Sequence, residues 1–235
     1  MTGLVAAGCG GSKGHDATAV IDPGDHGHYA PDIHPTDFVA TIDNPYMPLR
    51  PGMAWDYRGP SGKHIEDDHV EVTNQTRMVM GIPAVVVHDS VSVKGTVTEE
   101  TYDWFAQDRS GNVWYLGEAT KEYGSGGKID TGGSWEAGVG GALPGIVMPA
   151  HPTVGRAYRQ EFLKGDAEDM AQVTALGTTR RVPAGAYKDV VVTKEWSPLE
   201  PSVVSAKYYA PGVGEIREES TSGPTEISSL TKFQQ

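Results

Sequence analysis

Four residues in the second half of the chain carry side chains suited to proton transfer: Glu136, His151, Glu161 and Asp169. Carboxyl and imidazole groups held a few ångströms apart act as general acid and base, the chemistry of a hydrolase or lyase. Neighbouring carboxylates, such as Glu168 and Asp169, also suit calcium. If residues 158–162 are extended, Arg159 and Glu161 share one face, opposite Tyr158 and Gln160. Such a pair inside a barrel orients a ligand carboxylate, or serves as a structural ion pair.

A second constellation lies near the N-terminus. His26, His28 and His34, with Asp25 and Asp32, offer imidazole nitrogens and carboxylates in one short segment. That chemistry suits a divalent metal such as zinc or copper, and the alternative is a solvated tether. His64 and His69, with Glu66, Asp67 and Asp68, form a further polar cluster in "KHIEDDHVEV". Its alternation reads as an edge strand, where charge discourages aggregation. Residues 10–14 match G-x-S-x-G, yet a nucleophile elbow needs a strand before it and a helix after it. Turn formers surround this match instead.

The aromatic residues offer apolar surface. Trp55, Trp104, Trp135 and Tyr208, with Met148, are the candidates for a ligand-binding wall, with Arg159 supplying polarity. The competing reading is aromatic core and cross-strand packing.

The elements that would carry these residues are strands. The 235 residues hold 30 Gly and 16 Pro, with many Val and Thr. That mixture favours strands and turns. Val85, Val87, Asp89, Val91 and Val93 fall on one strand face, and Val86, His88, Ser90 and Ser92 on the other. "TYDWFAQDRSGNVWYLGE" reads as a hairpin turning at residues 109–112. "GDAEDMAQVTAL" has helical spacing at Met170, Val173 and Leu176, but its neighbours argue for a strand.

The chain also repeats itself. "RPGMAWDYRG", "MVMGIPAVVVHDSV" and "TYDWFAQDRSGNVWYLGE" are followed later by "TVGRAYRQEF", "RRVPAGAYKDVVVTKEW" and "AKYYAPGVGEIREES". Gly52 to Ala106 spans 54 positions and Gly155 to Ala210 spans 55. The expectation is two antiparallel meanders, residues 48–119 and 153–220, each with an apolar face that closes on the other. Residues 120–152 are a Gly-rich insert between them, anchored by apolar residues and too irregular for regular sheet.

Residues 10–36, rich in Gly, Pro and His, read as a flexible tether ahead of a single β domain, residues 37–235. Cys9 is the chain's single cysteine, so it has no internal disulfide partner. It follows Ala6, Ala7 and Gly8 and precedes two glycines, as in a bacterial lipobox. The eight residues before it lack a charged segment and a full apolar segment, so either residues 1–9 are a truncated signal remnant or Cys9 is a stray exposed cysteine in a tail. A diacylated Cys9 would fasten the domain to a membrane.

Formal net charge is −12, from 19 Lys and Arg against 31 Asp and Glu. An acidic surface repels phosphate backbones, so nucleic acid is a poor partner. No run approaches the ~20 apolar residues of a membrane-spanning helix.

Four blocks carry a resemblance: "TYDWFAQDRSGNVWYLGEATKEY", "GSWEAG…ALPGIVMPAHP", "YRQEF…GDAEDMA" and "KYYAPGVGEI". Over residues 37–218 they make the chain similar to a family of secreted or lipid-anchored β-rich bacterial proteins common in actinobacteria. The resemblance implies export and a β-rich fold, and it transfers no catalytic residue. The resulting expectation is an all-β, curved or barrel-like body, extracytoplasmic and held by Cys9. It would bind a small apolar or amphipathic molecule or an envelope partner. An enzyme built on the acidic residues and metal capture by the histidines remain the alternatives.

Overall fold

The computed structural model describes residues 29–235. Cys9, His26 and His28 lie outside the described residues, and with them the lipobox and two of the three candidate metal ligands.

The described chain is built from antiparallel strands. β1 (Phe38–Val39) and β2 (Ala54–Ser61) lead into the long β3 (His64–Val79), β4 (Ile82–Val93), β5 (Thr96–Asp108) and β6 (Val113–Tyr123). The Gly-rich segment adds β7 (Ile129–Asp130), β8 (Trp135–Glu136) and β9 (Leu143–Met148). Next come β10 (Ala157–Arg159), β11 (Glu161–Phe162), β12 (Met170–Val182) and β13 (Gly185–Trp196). β14 (Val204–Ala210), β15 (Gly214–Ser222) and β16 (Ile227–Gln234) complete the series.

Hydrogen-bonded neighbours run β10-β12-β13-β14-β15-β16-β2-β3-β4-β5-β6-β9-β11. β10 and β11 are the two ends of this path, yet Gln160 alone separates them in the chain. The sheet therefore curls back on itself into a nearly closed barrel with a seam at Gln160. β9 packs beside β10 across that seam.

Local chemistry sets the register. Met80–Gly81 and Lys94–Gly95 all have φ between 50° and 79°, the two-residue turn whose twist matches that of paired strands. These turns fix β3 against β4 and β4 against β5. Residues 109–112 turn β5 into β6, as the hairpin reading expects. The segment from Met170 is strand, despite its helical spacing. Trp114, Ile42, Met53, Ile82, Leu116 and Met148 are among the largest fully buried side chains.

Three expectations change. The "KHIEDDHVEV" segment is no edge: β3 lies between β2 and β4 and pairs with both. Its charges therefore alternate between the barrel's two faces. Part of the insert is regular sheet, because β9 pairs with β6 and with β11. Residues 29–36 dock on the body instead of hanging free. The Tyr29 hydroxyl donates to the Pro144 carbonyl at 2.5 Å, and Arg109 Nε donates to the Thr36 carbonyl at 2.9 Å.

Candidate functional site

Strand alternation points every second side chain into the barrel. Trp55 and Tyr57 of β2, Asp68 and Val70 of β3, and Val87, Asp89 and Val91 of β4 line one cavity. Phe105 of β5 and Lys207 and Tyr209 of β14 complete much of its wall. The cavity measures about 330 Å³. The ring donors on its wall are anchored outward: Trp55 Nε1 donates to the Val213 carbonyl at 2.8 Å, and the Tyr57 hydroxyl to the Glu215 carbonyl at 3.0 Å.

Glu215 and Glu218 of β15 both face this cavity, although three residues apart they belong to opposite faces of a regular strand. A register shift explains this. Tyr209 pairs with Glu215 and Tyr208 with Arg217, so one residue is extra on β15. The bulge resets the alternation and turns both glutamates inward.

Lys207 is the hub of the charged wall. Its Nζ lies 3.5 Å from Glu195, 3.7 Å from Glu215 and 3.6 Å from Glu218. Glu195 also accepts from the Thr193 hydroxyl at 2.7 Å and the Tyr209 hydroxyl at 3.2 Å. The three glutamates hold the ammonium well above the ordinary lysine range, overcoming the opposing effect of burial. Burial pushes Glu215 up to about 7, while Lys207 pulls it back.

Asp68 and Asp89 form the other side. Asp68 pairs with Val91 and Val70 with Asp89, so the two carboxyls are diagonal neighbours on one face of β3 and β4. Neither Oδ1 atom meets solvent, and neither has a hydrogen-bond donor among the described residues. Two ionised carboxylates cannot bond to each other; one proton between them can. Burial pushes Asp68 up to about 6. Burial and the Asp68 charge hold Asp89 well above the carboxylate range.

A second acidic group sits deeper, around Tyr115. The Tyr115 hydroxyl donates to Asp103 Oδ1 at 2.5 Å. The Tyr115 ring stacks on Phe105 at 4.9 Å and meets the Trp135 ring edge-on at 5.3 Å. Burial pushes Asp103 up to about 7. Burial, with the nearby Asp103 and Glu161 charges, pushes Glu118 up to about 8. Glu161 is likewise pushed up to about 8, by burial and then by Asp169.

The structure thus brings Glu161 and Asp169 together but leaves the other acid–base candidates elsewhere. Glu136 pairs with Arg77 at 2.5 Å, and His151 is exposed. Arg159 and Glu161 do not act as a face-sharing pair, because the strand breaks at Gln160. Arg159 pairs with Met170 and Glu161 with Pro144. The Arg159 guanidinium instead lies over the Phe162 ring at 4.6 Å.

Of the apolar candidates, Trp55 lines the cavity. Trp135 packs in the deeper group, and Met148 is buried in the core. Trp104 lies under Arg77, with the guanidinium 4.0 Å from its ring. Tyr208 points away from Lys207's face, donating to Glu219 at 2.6 Å beneath Arg180. His34 is exposed, 3.4 Å from Asp32. Among the described residues, no group of three or more His, Cys, Asp or Glu side chains is arranged to hold a metal ion. No described helix is long and apolar enough to cross a membrane.

Sequence reasoning took Asp68 for an edge-strand charge and Asp89 for part of a valine face, and missed Glu195, Lys207, Glu215 and Glu218. One signal was available: Asp89 stands in the middle of a valine face. A lone carboxylate among four valines is either exposed with them or turned inward with them.

No protein-family model matches the chain, and no curated protein sequence matches it. Two solved structures are similar in outline. One is a candidate exported protein of YmcC-like fold from Bacteroides fragilis NCTC 9343, 14% identical, with a TM-score of 0.46 over 81% of this chain and 99% of that one. The other is a candidate lipoprotein from Parabacteroides distasonis ATCC 8503, 12% identical, with a TM-score of 0.37 over 80% of this chain and 98% of that one. Neither comes from an actinobacterium.

Proposed function

We propose that this chain is an extracytoplasmic binding protein, fastened through Cys9, that holds a small amphipathic molecule in the barrel cavity. The observation that carries this reading is the cavity itself. It is about 330 Å³, with an aromatic and aliphatic wall and a few placed polar groups. Small-molecule sites have that size and composition. The aromatic rings contribute contact area at low entropic cost, because Trp55 and Tyr57 are already fixed by their own hydrogen bonds.

Native mass spectrometry of the full chain tests the reading. Extra mass on the protein, lost on mild activation and absent from a Trp55→Ala, Tyr209→Ala double variant that still melts cooperatively, supports it. A bare mass from every preparation, with no small molecule shifting the Tm, counts against it. Acyl mass on Cys9, lost in Cys9→Ser, tests the anchor.

A second reading is a hydrolase or lyase centred on Glu161 and Asp169. Placement favours it: Glu161 is buried next to Gln160, whose N–H donates to the Asp169 carbonyl at 2.8 Å. Burial with the Asp169 charge pushes the Glu161 carboxyl up, so at neutral pH it would keep the proton that a general acid gives. Glu161→Gln would then abolish turnover of any substrate that the wild type consumes, while leaving its binding intact.

A further inference from the structure

We infer that the polar end of the cavity ligand is a cation, a protonated amine seated between Asp68 and Asp89. This rests on the binding reading and assigns its ligand class. Glu66, Asp68, Asp89, Glu215, Glu218 and Glu226 line the cavity, against two cations, Arg58 and Lys207. Neither cation forms an ion pair with the aspartates, although the Lys207 charge reaches Asp89. Arg58 pairs with Asp67. Lys207 is occupied by Glu195, Glu215 and Glu218.

The Asp68 and Asp89 Oδ1 atoms are out of solvent and without donors. Buried acceptors of this kind are satisfied by a proton or by a donor brought in. An ammonium supplies both the charge and several N–H groups. A metal ion would need more ligands in the right geometry, and the described residues offer no such group. The apolar wall formed by Val70, Val87, Val91 and Phe105 suits the hydrocarbon end of the same molecule.

The exchange has a proton balance. The pair holds one shared proton while the cavity is free of amine. The ammonium takes its place between the carboxyls, and the proton leaves to solvent. No covalent bond changes. Amine affinity therefore rises with pH until the pair is ionised without help. The groups facing the pair shape that dependence. They are Tyr57 on β2, Glu66 on β3, Glu99 and Asp103 on β5, Lys207 on β14, Glu215 and Glu218 on β15, and Glu226 ahead of β16. Most are acidic, so they delay ionisation of the pair and favour an incoming cation.

The test titrates the full chain in phosphate buffer with two probes, 2-phenylethylamine and the neutral 2-phenylethanol. Trp fluorescence and ligand-observed NMR read the binding. The amine is expected to bind at least tenfold more tightly than the alcohol at pH 7.5, and several-fold more tightly at pH 7.5 than at pH 5.5. Asp89→Asn and Asp68→Asn should each remove most of that preference by weakening the amine far more than the alcohol. Both variants delete a charge from a crowded acidic site, so their melting points should not fall below wild type, which guards against a folding artefact. Equal binding of amine and alcohol, or variants that bind the amine as the wild type does, overturns the cation assignment and leaves the binding reading standing. Failure of both probes together with a bare native mass overturns both.

Discussion

Lys207 and Glu195 meet across β14 and β13, Nζ to Oε2 at 3.5 Å, and two further glutamates crowd the same ammonium. One cation thus offsets three carboxylates in the barrel wall. Removing it leaves like charges facing one another in a partly dry site. Lys207→Met is expected to cost about 1–3 kcal/mol at pH 8, less than a fully buried pair because the cavity admits solvent. At pH 5 the loss should shrink, since the glutamates can take up protons. Urea unfolding at both pH values checks this. An equal loss at both would mean that Lys207 acts through packing and not through charge.

Stability should decline as pH rises from about 5 to about 8. Asp103 and Glu215 are pushed up to about 7, and Glu118 and Glu161 to about 8, in each case mainly by burial. Above the ordinary carboxylate range these groups hold protons in the folded chain that the unfolded chain has released. Where the folded state binds more protons, stability falls with increasing pH. The contribution is full below about pH 4 and is lost through 7 to 8. Glu100, Glu219 and Asp130 are lowered instead, so they penalise only more acidic conditions. Melting temperatures across pH 4.5 to 8.5 should therefore peak on the acid side. Glu118→Gln should flatten the slope between 6 and 8; an unchanged slope would remove Glu118 from the explanation.

The strands were legible because their signal is local. Alternating valines over residues 85–93 and the turn at residues 109–112 need only their neighbours to be read. The segments that open at Gly52 and Gly155 make similar backbone bonds. The Gly52 N–H donates to the Val72 carbonyl at 2.9 Å, and the Gly155 N–H to the Val173 carbonyl at 2.8 Å. The charged interior was illegible for a physical reason. Whether Glu215 and Glu218 share a face depends on a bulge opposite Tyr208 and Tyr209, which no period-2 count foresees. The break at Gln160 separates Arg159 from Glu161 in the same way. Edge and centre are also non-local: β3 is interior because β2 and β4 flank it, and β2 is interior because β16, the last described strand, returns to cover it.

Gly117 holds the insert against the barrel, and its replacement should loosen that contact. It lies in β6 with φ +135°, where β8 crosses at Trp135 and Glu136. A Cβ there would overlap the Trp135 carbonyl and the Glu136 backbone. Gly117→Ala combines a disfavoured backbone with a clash that no side-chain rotation relieves. The expected loss is about 2–4 kcal/mol. β8 should detach before the rest, moving Trp135 off Tyr115 and weakening the Arg77–Glu136 pair. Amide exchange at Trp135 and Glu136 would report this as local opening. Protection equal to wild type would show that β8 is held by its other contacts.

Asp108 organises the turn between β5 and β6, and even its isosteric replacement should be costly. Oδ1 accepts from the Ser110 N–H at 2.9 Å and the Asn112 N–H at 3.0 Å. Oδ2 accepts from Asn112 Nδ2 and from Trp114 Nε1, each at 2.8 Å. All four partners are donors, so the site requires two acceptors. Asn supplies one acceptor and one donor. Whichever way its amide turns, an N–H group faces two other N–H groups in a buried pocket. Asp108→Asn is therefore expected to lose about 2–4 kcal/mol, since donors are left unsatisfied out of water. Trp114→Phe removes one donor from the same set and leaves the turn bonded, so it should cost less through hydrogen bonding and show its loss mainly as packing. Where the Asn amide puts its NH2 in the Oδ2 place, the Trp114→Phe change should cost less in Asp108→Asn than in the wild type, because the indole N–H then lacks its acceptor. A double-mutant cycle in urea measures that coupling, and strict additivity would mean that Asp108 acts through the backbone amides of the turn alone.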